Sequence, residues 1–402
     1  MRLVFRELKN NWYSIAVIVS AIHSRRKDVE LHVTKSVDDI LKFPPKETVV
    51  AYSFMSFDLH IVKEEVDLLK SRGYILIAGG PHPTADPEGT LSMGFDYVFT
   101  GDGENNILKF LEGERPSNRI FDGLKERVDL NDFPPFSPEL GIFIPIEITR
   151  GCPFRCAYCQ TPQLAGKMAR HRSIEMIVHY ASEGVKRNKR VARFISPNSF
   201  GYGSRNGIKP DPDVVEKLLF ELKKVGVEEI YFGTFPSDVR PESVSDDILR
   251  RIKKYVNNRS IVIGAQSGSD RILKIIKRGH TVEMAEKAIE TIANNGFIPH
   301  VDFIFGFPFE EEEDVLETFK FIEKIVKKYK ARIHAHTFMP LPGTELFKVG
   351  PGKLTKRHYK FLGSLASKGL LDGYWHKQQE LSRRVYENAG SGRPDLSKGR
   401  RV

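Results

Sequence analysis

The chain is predicted to be an α/β protein in two parts, an N-terminal doubly wound parallel sheet followed by a partial (β/α)6 barrel. Three observations carry this. Apolar strand-like segments alternate with helix-like ones over residues 1–112, a proline-rich stretch interrupts, and six further strand–helix units follow. All three cysteines fall in the loop after the first of those six. At 402 residues the chain exceeds one ordinary core. The expected division is 1–112 as first domain, 113–143 as linker, 144–350 as barrel, and 351–402 as C-terminal helices and a basic tail.

The opening MRLVFRELKNNWYSIAVIVSAIHS imitates a secretory leader, with basic residues before an apolar run from Trp12 to Ile22. That run is too short to span a membrane, and a strand-like segment follows at once. It reads as a strand, Arg2 to Phe5, and a buried helix. Strands recur at Glu30 to Val33, Thr48 to Ser53, Tyr74 to Ala78 and Tyr97 to Thr100. Between the third and fourth, Asp58 to Ser71 carries Ile61, Val62, Val66, Leu68 and Leu69 at helical spacing. Such sheets bind ligands beyond the carboxyl ends of their strands. Here those ends read AYSFMS (51–56), AGGPHPTADPE (78–88) and TGDGE (100–104), where glycines admit close approach of backbone to a large ligand.

Residues 113–143 contain Pro116, Pro134, Pro135 and Pro138 with little periodicity, which suits a linker. Barrel strands are expected at Ile144 to Thr149, Arg193 to Pro197, Glu229 to Phe235, Ser260 to Gln266, His300 to Phe305 and Arg332 to Phe338. Helices such as Asp213 to Val225 and Glu310 to Lys328 lie between them. Barrel chemistry gathers at strand carboxyl ends. His334 and His336 share one strand face, placed either to reach the lumen or to sit satisfied in the core. After Gly350, helices at His358 to Lys368 and Tyr374 to Tyr386 are expected to close the barrel's open side. The end NAGSGRPDLSKGRRV has nothing to bury and is expected to be mobile.

Cys152, Cys156 and Cys159 stand in TRGCPFRCAYCQTP at C-x3-C-x2-C spacing. Soft thiolates select iron–sulfur and zinc sites. Structural zinc closes with four ligands and an electron-transfer cluster with four thiolates, so three thiolates leave one metal position open for chemistry. The residues alone also admit three buried apolar cysteines, or zinc completed by His171 or another histidine. No cysteine remains for a disulfide, which points to a reducing cytoplasm. The net charge of +10, from 62 basic and 52 acidic residues, admits an acidic or nucleic-acid partner, or the Lys- and Glu-rich surface of a heat-stable protein. Basic clusters interleaved with aromatics are missing, so nucleic acid is not the expected partner.

The spacing, with Tyr158 before the last cysteine, resembles the C-x3-C-x-aromatic-C signature of radical S-adenosylmethionine (SAM) enzymes. The resemblance implies that Cys152, Cys156 and Cys159 are the catalytic ligands of a [4Fe-4S] cluster, with the amino and carboxylate groups of SAM on the fourth iron. Four strand ends are similar to the family. FISPNSFGYG carries Pro197, Asn198 and Ser199 where the SAM amino group is received. FPSDVRPESV carries Arg240 as partner for the SAM carboxylate, a pairing that guanidinium favours. GAQSGSDRILKIIKRGHT, with Gln266 and Ser267, and DFIFGFPFEEEED, with Ile304 and Gly306, resemble the contacts to ribose, adenine and methionine. HAHTFMPLPGTELF completes the series. Gln266 and Phe309 depart from the usual E-S-G-S and G-F-P-G-E; glutamine still bonds a ribose hydroxyl, while Phe309 leaves the turn's shape open.

The glycine-rich ends of the first sheet resemble the N-terminal cobalamin-binding domain of one branch of these enzymes. This implies cobalamin contacts from Ser53, Phe54, Met55, Gly79, Gly80, Pro81, His82, Gly101, Gly103 and Glu104, with the nucleotide tail against the sheet. The D-x-H-x-x-G motif that supplies a cobalt ligand elsewhere is missing. Asp58-Leu59-His60 continues without the glycine, so His60 and His82 read as helix-surface and loop residues rather than cobalt ligands. The resemblance implies a cobalamin-dependent radical SAM enzyme, foremost a C-methyltransferase using a 5'-deoxyadenosyl radical and methylcobalamin at an unactivated carbon, in anoxic cytoplasm. A peptide or protein is among the implied substrates, and ferredoxin or flavodoxin is the implied electron donor. Cyclases and rearrangement enzymes share the architecture. RNA methylthiotransferases share Q-S-G-S but carry three further N-terminal cysteines and usually a C-terminal RNA-binding domain, neither expected here.

Overall fold

The computed structural model describes residues 1–390; most of the basic end, 391–402, lies outside them. Six parallel strands form the first sheet: β1 (Arg2–Arg6), β2 (Glu30–Thr34), β3 (Thr48–Ser53), β4 (Ile75–Gly79), β5 (Tyr97–Gly101) and β6 (Ile120–Gly123), in the order β2-β1-β3-β4-β5-β6. Successive side chains on a strand point to opposite faces. Val4, Val50, Tyr52, Leu76 and Val98 therefore pack with Leu59, Val62, Val66 and Leu69 of the helix Leu59–Ser71. Leu3, Phe5, Val49, Ala51 and Ile77 pack on the other face with Ile15, Val19 and Ile22 of the helix Trp12–Arg25. Both faces are covered, as a parallel sheet requires. Each fully buried aliphatic contributes about 1.5–3 kcal/mol.

Strand β6 was not expected. It lies within the stretch read as linker, pairs with β5, and stacks Phe121 on Phe99 at 4.7 Å. Four residues are too few for periodicity to declare a strand.

The second unit contains β7 (Ile146–Glu147), β8 (Thr149–Arg150), β9 (Arg170–His171), β10 (Val191–Ile195), β11 (Glu229–Tyr231), β12 (Ser260–Gln266), β13 (Ile298–Phe305), β14 (Arg332–Thr337) and β15 (Leu371–Asp372). The barrel wall is β11-β10-β7 on one side and β12-β13-β14-β15 on the other, with a parallel bridge from Val239 to Ile263. Strand β15 adds a wall element where only helices were expected. Val301, Phe303, Ile333 and Ala335 enter the core under the outer helices. The alternate residues His300, Asp302, Ile304, His334 and His336 are half-buried on the lumen face. Antiparallel β8 and β9 pair Thr149 with His171 and Arg150 with Arg170, closing the segment that holds the cysteines. Among the described residues no helix is long and apolar enough to cross a membrane.

Candidate active site

The cysteine loop is folded back on itself by its backbone. Cys152 N donates to Gly166 O at 3.0 Å, Cys159 N to Cys156 O at 3.1 Å, and Ala157 N to Ile276 O at 2.9 Å. Gly151, at φ +88°, could not carry a side chain, because a Cβ would fall 2.1 Å from Met168 O. The three cysteines line one chamber of about 210 Å3 with Tyr158, Arg240, Gln266 and Arg278. Three thiols facing one chamber are a donor set that fits a multi-iron cluster held on three corners. His171 is committed elsewhere, with Nδ1 at 2.9 Å from Thr149 Oγ1 and Nε2 at 3.1 Å from Ser204 O.

Electrostatics favour an anionic sulfur at the deepest cysteine. Arg240 Nη1 and Arg278 Nη1 donate to Cys156 Sγ at 3.4 and 3.5 Å. Burial alone would raise the Cys156 thiol, but the two cations hold it below its ordinary value. At Cys152 burial prevails over a backbone hydrogen bond and the Arg240 charge and pushes the thiol up to about 11. Arg240 lies 3.6 Å from the centroid of the Phe154 ring and donates to Glu242 at 2.6 Å. Burial opposes ionisation of Glu242, but the neighbouring His280, with Nδ1 at 3.6 Å, and the hydrogen-bonded Arg240 prevail and hold it down to about 2. The Nε atoms of Arg240 and Arg278 are buried without partners, so each retains a donor for an anionic group. Across the chamber, burial lifts Asp238 to about 6, and burial together with the Asp238 charge lifts Asp302 well above the carboxylate range.

Pro197, Arg240 and Gln266 line the chamber. Asn198 and Ser199 stand behind it. Asn198 Oδ1 accepts from Arg240 N at 3.2 Å and Ser243 Oγ at 3.0 Å, and Ser199 N donates to Asp238 O at 3.1 Å. Ser267 Oγ is spent on Ser269 N at 3.1 Å. Ile304 packs in the layer of Phe307 and Phe338. Gly306 N donates to Glu310 Oε2 at 2.7 Å, so Glu310 closes the turn, while Phe309 stacks on Phe307 at 5.3 Å. Arg278, Asp238 and Asp302 were not singled out from sequence. Arg278 lies inside GAQSGSDRILKIIKRGHT, Asp238 inside FPSDVRPESV and Asp302 at the start of DFIFGFPFEEEED, so each sat in a quoted segment without a role of its own.

A second cavity, about 380 Å3 and largely apolar, opens at the carboxyl ends of the first sheet. Ser53, Gly79, Gly80, Gly101, Gly103 and Glu104 line it from that side; Pro135, Ile144, Arg150, Leu164 and Ile195 line it from the barrel side. Gly80 is at φ +92°, and a Cβ there would meet Ser53 Oγ at 2.6 Å. The cavity's size suits the nucleotide end of a large cofactor lying along the seam. Phe54, Met55, Pro81 and His82 lie outside the lining. His82 is a buried residue of the short helix Pro81–Ala85 rather than a loop residue, stacked on Phe54 at 5.4 Å with Nδ1 2.9 Å from Ser56 Oγ. Burial holds it down to about 4. His60 is exposed on its helix, as expected.

Residues 146–322 match the family model of the radical SAM superfamily, and residues 2–111 match that of the B12 binding domain. A Methanocaldococcus jannaschii protein that carries the working name of a methylthiotransferase is 30% identical over 346 residues, 80% of this chain and 74% of its own. The tRNA-2-methylthio-N(6)-dimethylallyladenosine synthase of Thermotoga petrophila is 33% identical over 209 residues, 50% of this chain and 44% of that enzyme. Among solved structures, the radical SAM methyltransferase TsrM of Kitasatospora setae, with cobalamin and a [4Fe-4S] cluster bound, aligns at a TM-score of 0.66 and 14% identity. The alignment covers 86% of this chain and 76% of that one. Two domain matches in this order, on this fold, place the protein: it belongs to the cobalamin-dependent radical SAM enzymes, whose cofactors are a [4Fe-4S] cluster, SAM and cobalamin.

Proposed function

We propose that the protein is a C-methyltransferase acting on an unactivated carbon, with peptide or protein side chains the first substrates to try. One relationship supports this above the rest. The cavity at the first sheet opens onto the barrel, and its wall residue Arg150 stands two positions before Cys152, so one loop borders both chambers. When bound, cobalamin carries a methyl group and SAM on the cluster supplies a hydrogen-abstracting radical.

The chain's own part is positioning and dryness. Cys152, Cys156 and Cys159 would hold three irons, with Arg240 and Arg278 favouring the Cys156 thiolate. The free Nε donors of both arginines would meet the SAM carboxylate, and Gln266 its ribose. Ser53, Gly79 and Gly80 would cradle the nucleotide end of cobalamin. We assign the reaction to the cytoplasm, with a ferredoxin or flavodoxin as electron donor.

The relative from Methanocaldococcus jannaschii favours a second reading, methylthio transfer. Against it, all three cysteines of this chain lie in one loop, leaving no thiolates for a second cluster. The two readings part in one experiment: anoxic reconstitution with iron, sulfide and hydroxocobalamin, desalting, then incubation with SAM, reductant and candidate peptides. Methyl transfer expects retained cobalamin and both 5'-deoxyadenosine and S-adenosylhomocysteine, the latter lost when cobalamin is omitted. S-adenosylhomocysteine that persists without cobalamin would favour methylthio transfer. Deoxyadenosine alone would favour cyclisation or rearrangement.

A further inference from the structure

Beneath the cysteine chamber the lumen of the barrel holds a second group of polar side chains. Strands β13, β14 and β15 run side by side, and their register sets Asp302 opposite His334 and His334 opposite Asp372. His300 lies two residues before Asp302 and so on the same face. His300 Nε2 is 3.2 Å from Asp372 Oδ1, and His334 Nδ1 is 2.5 Å from the same oxygen. One ligand atom from each of the three lies within 4.8 Å of the others, an arrangement met by no other such trio among the described residues.

We propose that His300, His334 and Asp372 bind a divalent transition-metal ion of the zinc or ferrous class on the floor of the lumen, apart from the cluster. Two imidazoles and a carboxylate suit these ions and leave coordination positions open. Donors around a tetrahedral zinc stand about 3.3 Å apart, given bond lengths of about 2.0–2.1 Å. The His300–Asp372 spacing already meets this, and His334 needs only a small rotation. The backing is rigid, because Val301, Ile333 and Ala335, on the opposite faces of the same strands, are fully buried. His336 lies tilted beside His334, with 4.5 Å between ring centroids, and is held by Gln378 Nε2 at 3.3 Å, so it packs against the site without joining it. An ion here fastens β15, and through it the helix Trp375–Gly390, to the two strands before it.

The test uses anoxic protein with its cluster reconstituted, so that the cysteines are occupied, washed with EDTA, incubated with zinc and desalted. Elemental analysis is expected to find about one zinc per chain in the parent and in His336→Ala, lost in His334→Ala and Asp372→Asn with iron content unchanged. Zinc is expected to raise the melting temperature of the parent and leave that of Asp372→Asn unmoved. Asp372→Asn is close to isosteric, so it serves even if His334→Ala folds poorly. A parent that retains no zinc, or an Asp372→Asn variant that retains as much as the parent, overturns the proposal and leaves a hydrogen-bonded His–Asp–His triad.

Discussion

Arg150, two residues before the first cysteine, donates to Glu104 of the first domain at 2.7 Å, with their side chains only 12% and 3% exposed. The same guanidinium grips Glu147 at 2.6 Å and lies 3.4 Å from Asp102, which also pairs with Arg127 and Arg170. The seam between the domains is therefore a buried ionic network centred on one arginine. Removing one partner of such a network leaves uncompensated charge and costs about 3–5 kcal/mol. Arg150→Met is expected to lower the urea midpoint accordingly and to loosen cobalamin. Arg150→Lys is expected to recover only part, since a point charge cannot fork between two carboxylates.

Cys156→Ala removes the sulfur that both arginines address. The expected result is loss of cluster absorbance and of deoxyadenosine production, measured after anoxic reconstitution. SAM cleavage that survives would mean that the cluster sits elsewhere.

Gly79 and Gly80 separate cavity filling from backbone strain. A Cβ at Gly79 meets nothing closer than 3.6 Å, whereas Gly80 is left-handed and crowded. Gly79→Leu is expected to leave the melting temperature near that of the parent and to reduce retained cobalamin at least tenfold, a difference of about 1.4 kcal/mol. Unchanged retention in desalted protein would assign the cavity to another ligand.

Asp302 gives an alkaline weakness. Burial and the neighbouring Asp238 raise its folded value, so the folded protein keeps a proton that the unfolded chain releases. The stability it contributes is present at low pH and is lost as pH rises from the ordinary aspartate range through the folded value. Asp302→Asn is expected to flatten that decline and to stabilise the unliganded protein at neutral pH, read from urea unfolding at several pH values.

His82 and His358 act in the opposite direction. Burial holds each down to about 4, so the unfolded chain binds protons that the folded one refuses. Their stability is full above the ordinary histidine value and is lost as pH falls from there toward 4. Lowering pH from 6.5 to 5 is expected to cost about 1.5 kcal/mol for each. His82→Gln should remove its share of the slope, and an unchanged slope would show that His82 takes up its proton alike in the folded and unfolded protein.

Strands with long β-branched runs were legible to the residue: Thr48–Ser53 and Ser260–Gln266 fall where expected. Strands of two to four residues were legible only in part: β11 starts at Glu229 as expected but stops at Tyr231, and β6 and β15 are too short for a period of two to stand out. The cysteines announced themselves by spacing. Arg240 was legible as an arginine near the site but not as a neighbour of Cys156, and Arg278, 122 residues from that cysteine, carried no signal.

By itself the sequence determined the alternation of strands and helices, the three-thiolate loop and the glycine-rich strand ends. Each is a local pattern, because side-chain period and backbone freedom act over a few residues. Tertiary structure alone decided that Arg278 reaches Cys156, that Arg150 bridges the domains, and that His300, His334 and Asp372 converge. Those pairings join residues far apart in the chain, and they exist only once strand register and closure of the barrel have set which side chains share a buried space.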